Sequence, residues 1–203
     1  MKTKTLVAIG VAMSFSANAN LIISETTEGS SYNKAIEITN ISSNTTSLSG
    51  YTLKIASNGA SEWKTTFFSL DSEPSITALE NGATLVIGHS NMKNDNKDGT
   101  PNAFKGKVQL FESTASNFNG DDIIGLFKND QLVDIVGTLG AGKGANFNKD
   151  SALRRKDNQV APSTIFTPDN WEVISGQDHF EHIGIAPAFT PIEGGDSGGD
   201  SGG

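Results

Sequence analysis

The chain has 203 residues, with 15 Lys and Arg against 23 Asp and Glu, and no cysteine. The missing thiol excludes disulfides, thiolate zinc centres, cysteine nucleophiles and lipoprotein attachment. A formal charge of −8 argues against general binding to nucleic-acid phosphates, which needs cationic neutralisation, while leaving room for a local basic patch.

Residues 1–19 read as a signal peptide. Lys2 and Lys4 precede an apolar run over 6–15, and Ala17-Asn18-Ala19 has the small-x-small form of a signal-peptidase site. The run is too short to span a bilayer comfortably, and the mature chain contains no stretch of transmembrane length. Cleavage near Ala19 predicts an exported protein, extracellular or periplasmic. Without disulfides such a chain must rest on its core, and residues 20–190 suffice for one domain.

The mature chain opens with a short strand at 21–25. In 34–39, Ile36 and Ile38 share one face while Glu37 and Thr39 lie on the other, the period of a half-buried strand. A Ser/Thr/Asn loop separates this from 48–55, where Tyr51, Leu53 and Ile55 alternate with polar neighbours. Residues 63–70 read as a further strand with Trp63 and Phe67 as core candidates, and 83–88 as a central one. Residues 91–117 form a polar excursion, with one short strand or turn at 107–111.

The strongest local signal follows. Two runs, 123–127 and 132–136, flank the turn Asn129-Asp130 and predict a β-hairpin. Asn119-Gly120-Asp121-Asp122 makes a polar corner just ahead of it. After the glycine-rich loop 140–144 come Ser151 to Lys156 and a last strand at 171–174. No segment carries a helical period over three turns, so the fold is expected to be all-β with eight or nine short strands. Residues 191–203, in which Gly-Gly-Asp-Ser at 194–197 repeats at 198–201, have the composition of a flexible, solvated linker or tail.

Taken in order, LIISETTEGSSYNKAIEITN, LSGYTL, ATLVIG, FNGDDIIGLFKNDQLVDIVG, LRRK and WEV resemble the lamin-tail domain family in its bacterial, secreted form. The resemblance spans about 21–184 and implies an immunoglobulin-like β-sandwich. It also implies a role like that of the N-terminal accessory modules on secreted proteins such as extracellular nucleases. The family brings no established catalytic residues to carry over.

The residues themselves offer no enzyme constellation. His179 and His182, with Asp178 and Glu181, have a zinc-like spacing but no helix to hold them. Asn94 to Gly99 resembles the start of a calcium loop, yet Lys105 stands where a bidentate Glu belongs. Asp121 and Asp122 either share a calcium ion or accept backbone N–H groups and fix the corner. Arg154, Arg155 and Lys156 form the one dense basic cluster, read as ion-pair partners or as a nucleic-acid contact. Trp63 and Trp171 read as core anchors, or as a sugar-stacking platform if exposed.

Two functional readings follow. One is a non-catalytic, exported accessory or binding module of a larger secreted protein, with a fused or partner catalytic domain such as a nuclease. The other is a free-standing cell-surface or matrix adhesion protein that binds carbohydrate or another polymer, with calcium as its one candidate cofactor.

Overall fold

The structure, a computed structural model, describes residues 19–94, 104–176 and 180–193. The expected leader, the Gly/Asp/Ser repeat from 194 onward, most of the calcium-like loop and the Asp178/His179 half of the zinc-like motif lie outside these residues.

The regular secondary structure of the described residues is nearly all strand, apart from three short 3-10 helices. Its elements are β1 (Leu21–Glu28), β2 (Lys34–Asn40), β3 (Thr46–Ser47), β4 (Tyr51–Ala56), β5 (Phe67–Ser69) and β6 (Ala78–Leu79), then β7 (Thr84–His89), β8 (Leu110–Glu112), β9 (Ile123–Lys128), β10 (Gln131–Val136), β11 (Ser151–Arg155) and β12 (Trp171–Ser175). Twelve strands therefore stand where eight or nine were expected. The surplus comes from pieces such as β3, β5, β6 and β8, whose two or three residues are too few to show an alternation.

A six-stranded sheet runs β12-β11-β1-β2-β7-β8 and a four-stranded sheet runs β10-β9-β4-β5, with β3 and β6 pairing separately. The pairings are antiparallel except β7 with β8. Leu21, Ile23, Ile36, Ile38, Leu85, Ile87 and Leu153 from the larger sheet meet Tyr51, Leu53, Ile55, Ile124, Leu126 and Val136 from the smaller one in a single core. Facing sheets of this kind make an immunoglobulin-like β-sandwich.

The hairpin forms as its turn residues require. Asn129 and Asp130 both take left-handed backbone, at φ 48° and 63°, which matches the twist of a two-residue connection. A bulge between Leu132 and Asp134 then shifts the register of β10 against β9. The shift lets Val133 join the core while Asp134 is also fully buried, so the stretch expected as an apolar run carries a buried acid.

Three further expectations need correction. Of 63–70 only Phe67–Ser69 is strand; Phe67 sits opposite Lys54 and is 54% exposed, while Phe68, opposite Leu53, packs on the core. Trp63 stacks edge-on against Phe127, outside the core between the sheets, whereas Trp171 is a core residue. Finally, β2 is buried on both faces. Glu37 and Thr39 face away from the core as their period demands, yet both are buried, and a C-terminal segment lies over Glu37.

That segment, 180–193, ends beside the start of the domain. Ile41 N–H donates to Asn20 O at 2.8 Å, and Ile192 N–H donates to Ile41 O at 3.0 Å.

Candidate binding site at the aspartate corner

Asp122 organises the corner ahead of the hairpin. One carboxylate oxygen accepts from Asn58 N–H at 2.6 Å and the other from Asn119 N–H at 2.9 Å. Its own N–H donates to Asn119 O at 2.9 Å, closing the turn. Both oxygens of this buried side chain thus serve backbone donors that would otherwise lack partners. Asp121 points elsewhere, and one of its oxygens accepts from Gly144 N–H at 2.9 Å.

Three loops meet at this corner. Gly59 N–H donates to Asp121 O, Gly142 N–H donates to Gly59 O, and Phe147 N–H donates to Gly120 O, all at 2.8–2.9 Å. The approach is so close that two glycines are obligatory. A Cβ on Gly59, at φ +64°, would lie 2.2 Å from Gly142 O, and one on Gly120 would lie 2.3 Å from Lys149 Cβ.

Between the loops lies a pocket of about 400 Å³, whose polar lining includes Asn58, Asn119, Asp121, Lys143, Asn146 and Lys149. Glu28 at its floor is taken up, accepting from Lys34 Nζ at 2.6 Å and from Asp150 N–H at 2.6 Å. Lys149 N–H donates to Asn146 Oδ1. The ammonium groups of Lys143 and Lys149 have no partner among the described residues, nor do the side-chain amides of Asn58 and Asn119. The pocket therefore presents two cations and several amide groups around the Asp121 carboxylate. Among the described residues no three of His, Asp or Glu converge as a metal-binding group.

The basic cluster on β11 is placed differently. Arg154 and Arg155 point to opposite faces, as alternation requires. Arg154 donates to Glu25 at 3.1 Å on the outer face. Arg155 is 2% exposed; it donates to Asp134 Oδ1 at 2.6 Å and to Ile23 O at 3.1 Å, and lies 4.3 Å over the Trp171 ring. Only Lys156 is exposed. Asp134 accepts in addition from Ile23 N–H at 2.8 Å and Ser163 N–H at 3.0 Å. Burial pushes the Asp134 carboxyl up, against the pull of Arg155 and the two N–H groups. Since all its hydrogen-bond partners are donors, the carboxylate is the form that fits.

His89 has a local task. Its Nδ1 accepts from Asn91 N–H at 3.1 Å and its ring stacks on Tyr32, while burial holds its pKa below the usual range. Of the residues singled out in the sequence, the fold brings the Asn119-Gly120-Asp121 part of the corner and the glycine-rich loop together in the pocket. Lys143 arrives with that loop, whereas Lys149, Asn58 and Asn146 carry no motif, because they converge through loops apart in the chain.

The corner allows a direct check. Asp122→Ala leaves the Asn58 and Asn119 N–H groups without acceptors and is expected to cost about 2–3 kcal/mol in urea unfolding. Adding a chelator is expected to leave the melting midpoint of the unaltered protein where it was. A midpoint that falls on chelation would instead assign the corner to a cation.

A search of curated proteins returned no match. The family model of the lamin tail domain matches residues 14–140, more than half of the chain, from ahead of β1 through the hairpin and the Asp122 corner. The chain belongs to the lamin tail domain family.

Proposed function

We propose that this protein is a non-catalytic, exported binding module, serving a larger secreted protein such as an extracellular nuclease and contacting its ligand through the pocket at the aspartate corner. One observation carries the reading. The groups best suited to chemistry, Glu25, Glu37, Asp134, Arg154 and Arg155, are buried as structural partners, while the pocket offers its two lysines and the amides of Asn58 and Asn119 unpaired. A pocket of this volume is within the range of small-ligand sites, and its lining is polar enough to select by hydrogen bonds. The signal-like residues 1–19 and the linker-like composition after 190 support export and attachment.

The ligand class follows from the same lining. Two ammoniums suit an anionic group and the surrounding amides suit hydroxyls, which together describe an acidic saccharide unit. Extended nucleic acid fits less well, because its affinity grows with the number of phosphates neutralised and this acidic chain brings only two lysines to the pocket.

Calorimetric titration with a uronate-bearing polysaccharide is expected to show saturable binding that weakens as salt rises. Lys143→Ala/Lys149→Ala, at exposed positions that leave the fold intact, is expected to weaken it about tenfold or more, the order expected for losing two charge-assisted contacts. Equal binding by the double variant, or reproducible turnover of a polymer by the chain alone, would overturn the reading. The accessory placement has its own test, namely whether a catalytic domain is encoded in the same reading frame.

A further inference from the structure

Glu37, Glu25 and Arg154 stand side by side across β2, β1 and β11, since Glu25 is the register partner of both others. Their side chains lie on the outer face of the six-stranded sheet, and both glutamates are almost wholly buried. Two carboxylates therefore share one guanidinium. Like charges directly opposite in antiparallel strands repel, and burial amplifies the effect.

What buries them is the segment 180–185, which crosses this face as a strap. Ile183 seats against Ala35 and Val86. Lys107 Nζ donates to the carbonyls of Phe180, Glu181 and Ile183. Arg154 donates to Ile185 O at 2.9 Å as well as to Glu25, and Gly184 N–H donates to Glu37 Oε2 at 2.6 Å. The other Glu37 oxygen accepts from Ser24 Oγ at 2.6 Å, which in turn accepts from Thr39 Oγ1. The strap is thus fastened directly to the charged row beneath it.

We propose that the 180–185 strap is a pH-dependent latch, closed while the Glu25/Glu37 pair holds a proton and loosened when both carboxylates ionise. With one proton on the pair, one negative charge faces one guanidinium and the row is balanced. With both ionised, the second charge needs water, and water reaches it only if the strap lifts. The other charged groups around the row do not remove this excess. His182 on the strap favours the Glu25 carboxylate when charged, Lys107 is committed to strap carbonyls, Glu181 on the strap is itself engaged, and Glu172, beside Arg154 on β12, adds negative charge.

The sign is set by the closed form binding the proton more tightly. Burial first, and then the charge of Glu37, raise the Glu25 carboxyl to about 7, and burial raises Glu37 as well. Closure is therefore fully favoured below the ordinary carboxyl range, and the advantage is lost as pH rises from there towards about 7. Lifting the strap would uncover Ala35 and Val86, while the chain beyond it stays held at Ala188 and Ile192.

Hydrogen exchange of the full chain, followed by mass spectrometry and corrected for intrinsic rates, tests the latch. Protection of the Gly184–Ile185 amides is expected to fall about tenfold or more between roughly pH 5.5 and pH 8.5, while β4 stays protected throughout. Glu25→Gln, which keeps an acceptor for Arg154 and removes the titration, is expected to hold the strap protected across the range. If that variant fails to fold, Glu37→Gln, which still accepts from Gly184, is read in the same way. A wild-type strap whose protection is flat in pH, or a pH response in the folded glutamine variant equal to that of wild type, would overturn the proposal.

Discussion

Replacing Asp134 with alanine is expected to lower the unfolding free energy by about 3–5 kcal/mol, measured by urea denaturation. Asp134 belongs to β10 of the small sheet, and its carboxylate holds Arg155 of β11, the N–H of Ile23 on β1 and the N–H of Ser163. Removing it leaves a guanidinium that is 2% exposed without its counter-charge and an N–H on β1 without its acceptor. The size of the loss comes from this uncompensated charge more than from any large net gain of the pair, because burying two ions costs nearly as much as their attraction returns. The double variant Asp134→Leu/Arg155→Met is therefore expected to recover most of the stability lost by the single one. A loss under about 1 kcal/mol for Asp134→Ala would mean that water reaches Arg155 and that the link between the sheets is weak.

Phe118→Ala is expected to cost about 3–5 kcal/mol, a large share of the 5–15 kcal/mol that holds an ordinary domain together. Phe118 is fully buried in the main core, and the Lys34 ammonium lies 5.8 Å from its ring. It immediately precedes the turn that Asp122 closes, so a cavity at this place would also loosen one wall of the pocket. Val173→Ala is the control. That side chain is 58% exposed, and its truncation is expected to stay within about 0.5 kcal/mol. If the two substitutions cost the same in urea melts, burial at Phe118 would not be what holds the corner.

Much of the sandwich was legible because its signals are local. Alternation placed Ile36, Ile38, Leu53 and Ile55 on the core face, and Asn129-Asp130 specified its turn through the backbone conformation those residues tolerate. What escaped depends on contacts between distant segments. Asp134 sits inside an apolar run and is explained only by Arg155, Ile23 and Ser163. Glu37 has the period of a solvent-facing residue and is buried because the strap, which has no periodicity of its own, lies over it. The same holds for the pocket. Asp121 announced itself as half of an acidic pair, while Lys143 and Lys149 become its neighbours through backbone hydrogen bonds between loops.

The hydrogen bonds that Asn20 and Ile192 both make with Ile41 have a geometric consequence. Asn20, just ahead of β1, and Ile192, near the end of the described residues, are both held to Ile41, so the two ends of the domain close on one backbone unit. A domain closed in this way has little span from one end to the other. As the binding module proposed above, it would present its pocket without acting as a spacer.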